Sequence, residues 1–174
     1  MKKLIVAAVV GLTAYAALAQ GQFTFGNRVT ADNIDAKVFA PGGATPLDGA
    51  AYLAQAYIGT DPGSLNPVGT ALPFRTGAAA GYITSTGITT GIAAGTSVTV
   101  VMRAWEAAKG ATYEAAVAGG GVYGSSNPVT LTLSGPPATP VNMVGLQSFS
   151  LIPEPSTMAL GVLGIAALLL RRRQ

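Results

Sequence analysis

Histidine and cysteine are both absent from the 174 residues, which leaves carboxylates, hydroxyls and aromatic rings as the side chains able to do chemistry. Serine–histidine–aspartate and cysteine–histidine catalysis are excluded on that ground, and so is zinc held by its usual ligands. Two carboxylate pairs stand close in sequence: Asp32 with Asp35, and Glu106 with Glu114 on either side of a break at Gly110. Paired carboxylates are what a glycoside hydrolase would need. Asp32, Asp35, Asp48 and Asp61 are oxygen ligands of the kind calcium takes, but no EF-hand spacing joins them. Aspartates in loops ordinarily cap and shape turns, so no catalytic, metal-binding or cofactor-binding residue is assigned and no cofactor is expected.

Three further patterns could bind rather than react. Gly119-Gly120-Gly121-Val122-Tyr123-Gly124 matches G-x-G-x-x-G formally, but Ser125-Ser126-Asn127-Pro128 follows, so no helix N-terminus is available for a pyrophosphate. It reads as a loop. Thr84/Thr86 and Thr130/Thr132 form Thr-x-Thr pairs, and Thr86 to Ile92 is a brief near-repeat. A flat array of strand threonines could face ice or a carbohydrate, but it needs many copies at a regular period. Tyr52, Tyr57, Tyr82, Trp105, Tyr113 and Tyr123 could stack on sugars if exposed. Trp105, the one tryptophan, is expected in the core, and Arg103 beside it is expected to pair with Glu106 or Glu114.

The elements that must position these residues are mostly strands. Phe23-Thr24-Phe25 opens the set, with a turn at Gly26-Asn27. Ile34, Ala36, Val38 and Ala40 alternate with Asp35, Lys37 and Phe39, the period of a half-buried strand. Tyr52–Ile58 follows, closed by a Gly/Asp/Pro/Ser-rich turn, with weaker signals at 68–74 and 81–85. Residues 97–105 make the clearest strand, apolar on both faces and therefore expected between packed layers. Val129–Leu133 alternates cleanly, and 146–151 could close the fold. Only 104–118 invites helix, with a short turn around Tyr113–Ala116. Short strands separated by Gly/Pro turns predict an all-β antiparallel sandwich of jelly-roll type.

Both ends of the chain read as addresses. Residues 1–19 have a secretory signal's order: Lys2-Lys3, an apolar stretch from Leu4 to Leu12, and small residues at Ala17 and Ala19, with cleavage expected before Gln20. That leaves a body over 20–152, large enough for its own core. The body carries five basic residues (Arg28, Lys37, Arg75, Arg103, Lys109) against six acids, so the chain's +3 charge resides in the end segments. Nucleic acid is not an expected partner.

The last segment, 153–174, runs Pro153-Glu154-Pro155-Ser156-Thr157, then an uncharged stretch from Met158 to Leu170, then Arg171-Arg172-Arg173-Gln174. The prolines hold the start extended, and Ser156 or Thr157 can cap a helix. Thirteen residues span about 20 Å, short of a hydrocarbon core of about 30 Å. An apolar stretch without a polar face, ending in arginines that can snorkel and hold the cytoplasmic side, still predicts a transmembrane helix with a membrane stop.

Those residues resemble a PEP-CTERM sorting signal: the Pro153-Glu154-Pro155 motif, Ala159-Leu160-Gly161 within the helix, and the terminal arginine cluster. The resemblance is limited to 153–174. It implies export through the secretion translocon, transient anchoring in the inner membrane, and processing near the motif by an exosortase, a membrane-embedded cysteine transpeptidase-like protease. Release to the cell surface or extracellular matrix would follow. The same tail also carries the label of a C-terminal domain of ice-binding proteins, which describes no activity. The expected whole is an exported, non-enzymatic surface or matrix protein. Its body would be a structural, adhesive or weak carbohydrate-binding module, with extracellular polysaccharide as its candidate ligand. The alternatives are a plainly membrane-anchored periplasmic domain, a carboxylate-dependent glycoside hydrolase and an ice-binding protein.

Overall fold

The computed structural model describes residues 20–153. They form a mostly antiparallel all-β fold around one apolar core. The larger sheet is built on β8 (Ser97–Glu106), the strand that the sequence marks most clearly. One edge of β8 pairs along its length with β5 (Tyr52–Gly59), which in turn pairs with β6 (Asn66–Pro73). The other edge pairs first with β10 (Val129–Thr132) and then with β9 (Tyr123–Ser125). The smaller sheet has β1 (Gln20–Phe25) at its centre, antiparallel to β7 (Thr86–Ala93) and parallel to the short β11 (Val141–Asn142).

Two ribbons complete the set. β2 (Arg28–Val29) pairs with β3 (Ile34–Asp35), and β4 (Val38–Phe39) pairs in parallel with β12 (Phe149–Ser150).

Alternation decides what each strand buries. Val98, Val100, Met102 and Ala104 of β8 join Ala54, Ala56 and Ile58 of β5 in a core shared with Phe23, Phe25 and Ile88 of the smaller sheet. Val101 and Trp105 point to the opposite face and are buried there too, and Trp105 packs against Tyr113 of the only α-helix among the described residues, α1 (Tyr113–Ala118). The two apolar faces of β8 thus have separate covers, as expected of a strand between layers.

Several expectations are redrawn by one residue. Asn27, read in the sequence as a turn, is fully buried. Its Nδ2 donates to the carbonyls of Ala36 and Gly81, both at 2.8 Å, and its Oδ1 accepts the N–H of Ile83 at 3.0 Å. Its own carbonyl accepts the N–H of Ala36 at 2.9 Å. Because Ala36 spends its backbone groups on Asn27, the expected strand over 34–40 divides into β3 and β4, although Ile34, Ala36 and Val38 remain buried as the alternation requires. Residues 81–85 form no strand for the same reason, and Ile83 keeps only an isolated bridge to Phe74. Gly26 is required beside the hub, since a Cβ there would lie 2.2 Å from Ser85 Oγ.

The near-repeat from Thr86 is a full strand. It buries Ile88 and Thr90, and the Thr90 hydroxyl donates to the carbonyl of Gly21 at 2.9 Å. The closing strand expected over 146–151 shortens to β12, and β11 has no counterpart in the sequence reading, each contributing only two residues.

Asn27→Ala should lower the unfolding free energy by about 2–4 kcal/mol, since two carbonyls and one N–H lose their partner inside the protein. Urea denaturation followed by Trp105 fluorescence reads this directly, and a loss below about 1 kcal/mol would contradict the hub role.

Candidate functional site

Four of the candidate acids, Asp32, Asp35, Asp61 and Glu114, are engaged in holding the chain. Asp35 accepts the Tyr82 hydroxyl, and Asp32 accepts Asn142 Nδ2 at 2.6 Å. Asp61 accepts the N–H of Gly63 at 2.9 Å inside its own turn, and Asp48 lies exposed ahead of a short 3-10 turn at Gly49–Ala51. Among the described residues no group of three carboxylates converges in a way that could hold a metal ion. Glu106 ends β8, and of the two carboxylates open to Arg103 it is Glu114 that the guanidinium takes, at 3.3 Å.

That ion pair belongs to the densest side-chain assembly outside the core. Thr112 caps α1 by accepting the N–H of Ala115 at 3.2 Å. The helix thereby sets Tyr113 over the outer face of the larger sheet. Tyr113 makes edge contacts with Tyr57, Trp105 and Tyr123 at centroid separations of 6.0, 6.3 and 5.7 Å. Arg103 lies between two of these rings, its Cζ 4.2 Å from Tyr57 and 4.9 Å from Tyr113. The Tyr57 hydroxyl donates to Glu114 at 3.0 Å, and Trp105 Nε1 donates to the carbonyl of Gly110 at 2.9 Å.

Burial pushes the Tyr57 phenol up to about 12, helped by its hydrogen bond to the Glu114 carboxylate and by that group's charge, and opposed by Arg103. Burial also raises Tyr113, against the lowering pull of Arg103.

Tyr57, Tyr82 and Trp105 are buried, and Tyr52, Tyr113 and Tyr123 are half-buried, so none of the six candidate rings stands fully exposed. The threonine pairs are divided as well. Thr86 begins β7 in one sheet, whereas Thr130 and Thr132 lie exposed on β10 in the other. The formal G-x-G-x-x-G runs from the end of α1 into β9, the reverse of the strand-to-helix order that a phosphate site needs. An open groove of about 510 Å³ separates the β5–β6 hairpin from β7, with Thr60, Ser64, Asn66 and Thr90 among its walls. Asp61 is its single carboxylate, already bonded within its turn.

The sorting residues meet the fold at its C-terminal exit. Leu151 is only 1% exposed, and its N–H donates to the carbonyl of Phe39 at 2.8 Å. Ile152 exchanges both backbone hydrogen bonds with Tyr123, at 2.8 and 3.1 Å, while its side chain is 53% exposed. Gly124 permits the crossing, since a Cβ there would come within 3.2 Å of the Leu151 Cα. Pro153 follows at once and is exposed. Peeling this strand away would expose one large apolar side chain, at a cost of about 1.5–3 kcal/mol, and release several hydrogen bonds at about 1 kcal/mol each.

Residues 151–173 match the family model of the PEP-CTERM protein-sorting motif. The tail is a PEP-CTERM sorting signal. No curated protein and no solved structure matches the chain. The signal is that of an exported protein, anchored transiently in a membrane and handed to an exosortase, itself a membrane protein. Its first two residues, Leu151 and Ile152, are part of the folded body. Gln20, the expected first residue after signal cleavage, is exposed at the start of β1 opposite Ala93. Ala17, Ala19, Glu154, Pro155, Arg171, Arg172, Arg173 and the expected transmembrane helix lie outside the described residues. Among the described residues no helix is long and apolar enough to cross a membrane.

Two outcomes test the aromatic assembly. In a spectrophotometric titration one tyrosine, Tyr57, should ionise near pH 12, and Glu114→Gln should lower that value by removing a carboxylate acceptor and its charge. Because the folded value is raised above the unfolded one, near 10, the stabilisation is complete below pH 10 and is lost as pH rises towards 12. Gly110→Ala should cost about 1–3 kcal/mol by overpacking, since its Cβ would sit 2.3 Å from the backbone nitrogen of Ala116. Thermal unfolding measures that loss.

Proposed function

We propose that this protein is a non-enzymatic component of the cell surface or extracellular matrix, delivered by its PEP-CTERM tail and released by an exosortase. Its body, read as a β-sandwich, acts as a structural or adhesive module. The observation that carries the reading is the sorting motif placed directly against the last strand of a folded β body. Supporting the non-catalytic part, Asp32, Asp35, Asp61 and Glu114 accept hydrogen bonds that tie strands, turns and helix together. A general acid or base would need to be free for substrate. Weak carbohydrate binding would have to use polar groups such as those of the β5–β7 groove, since the candidate aromatic rings are turned inward or half-covered.

Intact mass of the protein from fractionated cells, with and without the host's exosortase, tests the sorting step. The expected product lacks residues 1–19 and the apolar tail, and leaves the inner membrane only when the enzyme is present. A membrane-bound product that keeps Met158–Gln174 in both strains would instead identify a plainly anchored periplasmic domain.

A further inference from the structure

An edge strand shows a row of unpaired N–H and carbonyl groups to whatever comes near, and natural sheets blunt that row with prolines, bulges or short strands. Three of the four edges of the two main sheets are blunted in this way. β6 carries Pro67 and Pro73, and a left-handed Gly69 where its register shifts. β9 and β10 are three and four residues long, with Pro128 between them. β11 has two residues and follows Pro140. The exception is β7, whose eight residues Thr86-Gly87-Ile88-Thr89-Thr90-Gly91-Ile92-Ala93 include no proline and no charge.

The hydrogen-bond phase of β1 fixes which groups of β7 are free. Gln22 exchanges its N–H and its carbonyl with Ser134, at 2.7 and 3.2 Å. It has neither group left for Thr89, which lies opposite it on β7, so Gln22 and Thr89 form a non-hydrogen-bonded pair. Alternation then makes Phe23–Ile88 a hydrogen-bonded pair and Thr24–Gly87 a second non-bonded one. Gly87 and Thr89 thus turn their N–H and carbonyl groups outward, and neither group of either residue has a partner among the described residues. Both residues are exposed, and the β5–β6 hairpin stands off from the strand across the open groove at 90–92.

We propose that β7 is a homotypic docking edge that pairs antiparallel with β7 of a second copy of this chain. A two-fold axis through Ile88 sets Gly87 against Thr89 of the second copy, and Thr89 against its Gly87. Each facing pair exchanges two backbone hydrogen bonds, and two three-stranded sheets become one of six. Self-pairing is what this edge suits. A two-fold contact brings the same patch of both copies together, so charges on the strand would gather like against like, which is destabilising; β7 carries none. The symmetric register also places glycine opposite threonine, which avoids crowding on the outer face. A contact this narrow belongs to the weak class that fills at high local concentration, the condition of a surface or matrix component. The pairing stands on the geometry of β7 and is independent of how the tail is processed.

Sedimentation velocity of the purified protein, from micromolar to near-millimolar concentration, reads the association. The expected result is a monomer–dimer equilibrium that Thr89→Pro weakens about tenfold or more, by deleting an N–H that the monomer leaves unused. Trp105 fluorescence checks that the variant is folded. A pair of double variants decides the matter even where the proline does not fold. Gly87→Lys with Thr89→Lys should be monomeric, and so should Gly87→Glu with Thr89→Glu, while an equimolar mixture of the two should associate again. A side chain fits at Gly87, since its Cβ would meet only Pro140 Cγ, at 4.0 Å. Amide exchange gives a separate reading: the N–H groups of Gly87 and Thr89 should exchange fast in dilute solution and slow down with concentration, with Ile88 protected throughout. A protein that stays monomeric, with Gly87 and Thr89 unprotected at every concentration, overturns the proposal. Association that is equal in all variants, as one driven by the apolar tail would be, overturns it too. So does protection that appears on adding an unrelated strand-forming peptide and never with the protein's own concentration, because the edge then belongs to another partner. Each of these results leaves the sorting reading intact.

Discussion

A single buried amide ties its own segment to the backbone around Ala36 and around Gly81 and Ile83. Asn27 binds the backbone of Ala36, Gly81 and Ile83 with its side chain, and Ala36 again with its carbonyl. The segments before β4 and before β7 are irregular, and irregular backbone can be buried only where each N–H and carbonyl finds a partner. Asn27 supplies those partners from one position. Gly81 passes the connection on, donating to Leu47 and accepting from Val38, so the two sheets, the β4 ribbon and the entry to β7 are joined through a few adjacent groups. Among the described residues no buried side-chain nitrogen or oxygen is left without a partner.

The second constraint is the double burial of β8. A strand with apolar residues on both faces needs two covers, and the smaller sheet supplies only one. The six residues of α1 supply the other, held by rings, by Arg103 and by the buried Ala116. A helix so short has little stability of its own; the edge contacts of Tyr113 and the Thr112 cap keep it formed. This explains why the residues that look most like a binding platform in the sequence are largely covered. Their faces are occupied by one another.

Much of this was legible in the sequence, and the unread part has a physical pattern. A dense turn signal bounded β5 and period-two alternation located β8 and β10; alternation also gave the buried residues at 34, 36 and 38 where no continuous strand exists, because burial follows the pleat while ladder pairing follows the neighbours. Asn27 was opaque: Gly-Asn is ordinarily a turn signal, and a side chain bonded to residues up to 56 positions away leaves no local mark. β7 was obscured by Gly and Thr, which lower the apolar contrast that periodicity needs. The tail was the reverse case. Its order of proline motif, apolar stretch and arginines is a message to other machinery, and so is written locally, whereas the role of the body depends on which rings and acids are covered. Trp105 is buried as its strand predicts, whereas the burial of Tyr57 could not be recognised until α1 had been placed beside it.

The pairing of the chain's two ends also sets an order of events in time. Gln22 reaches Ser134 across 112 residues and Ala138 across 116, β11 lies beside β1, and β12 lies beside β4. Contacts of such high sequence separation are late and slow to form. As the chain emerges from its N-terminal end, Phe23, Phe25 and Val38 wait without their final neighbours. The core closes only when Phe149 and Leu151 emerge, and by then the apolar tail is next in line for the membrane. The topology therefore places the last core contacts of the body directly before the sorting signal in the order of the chain.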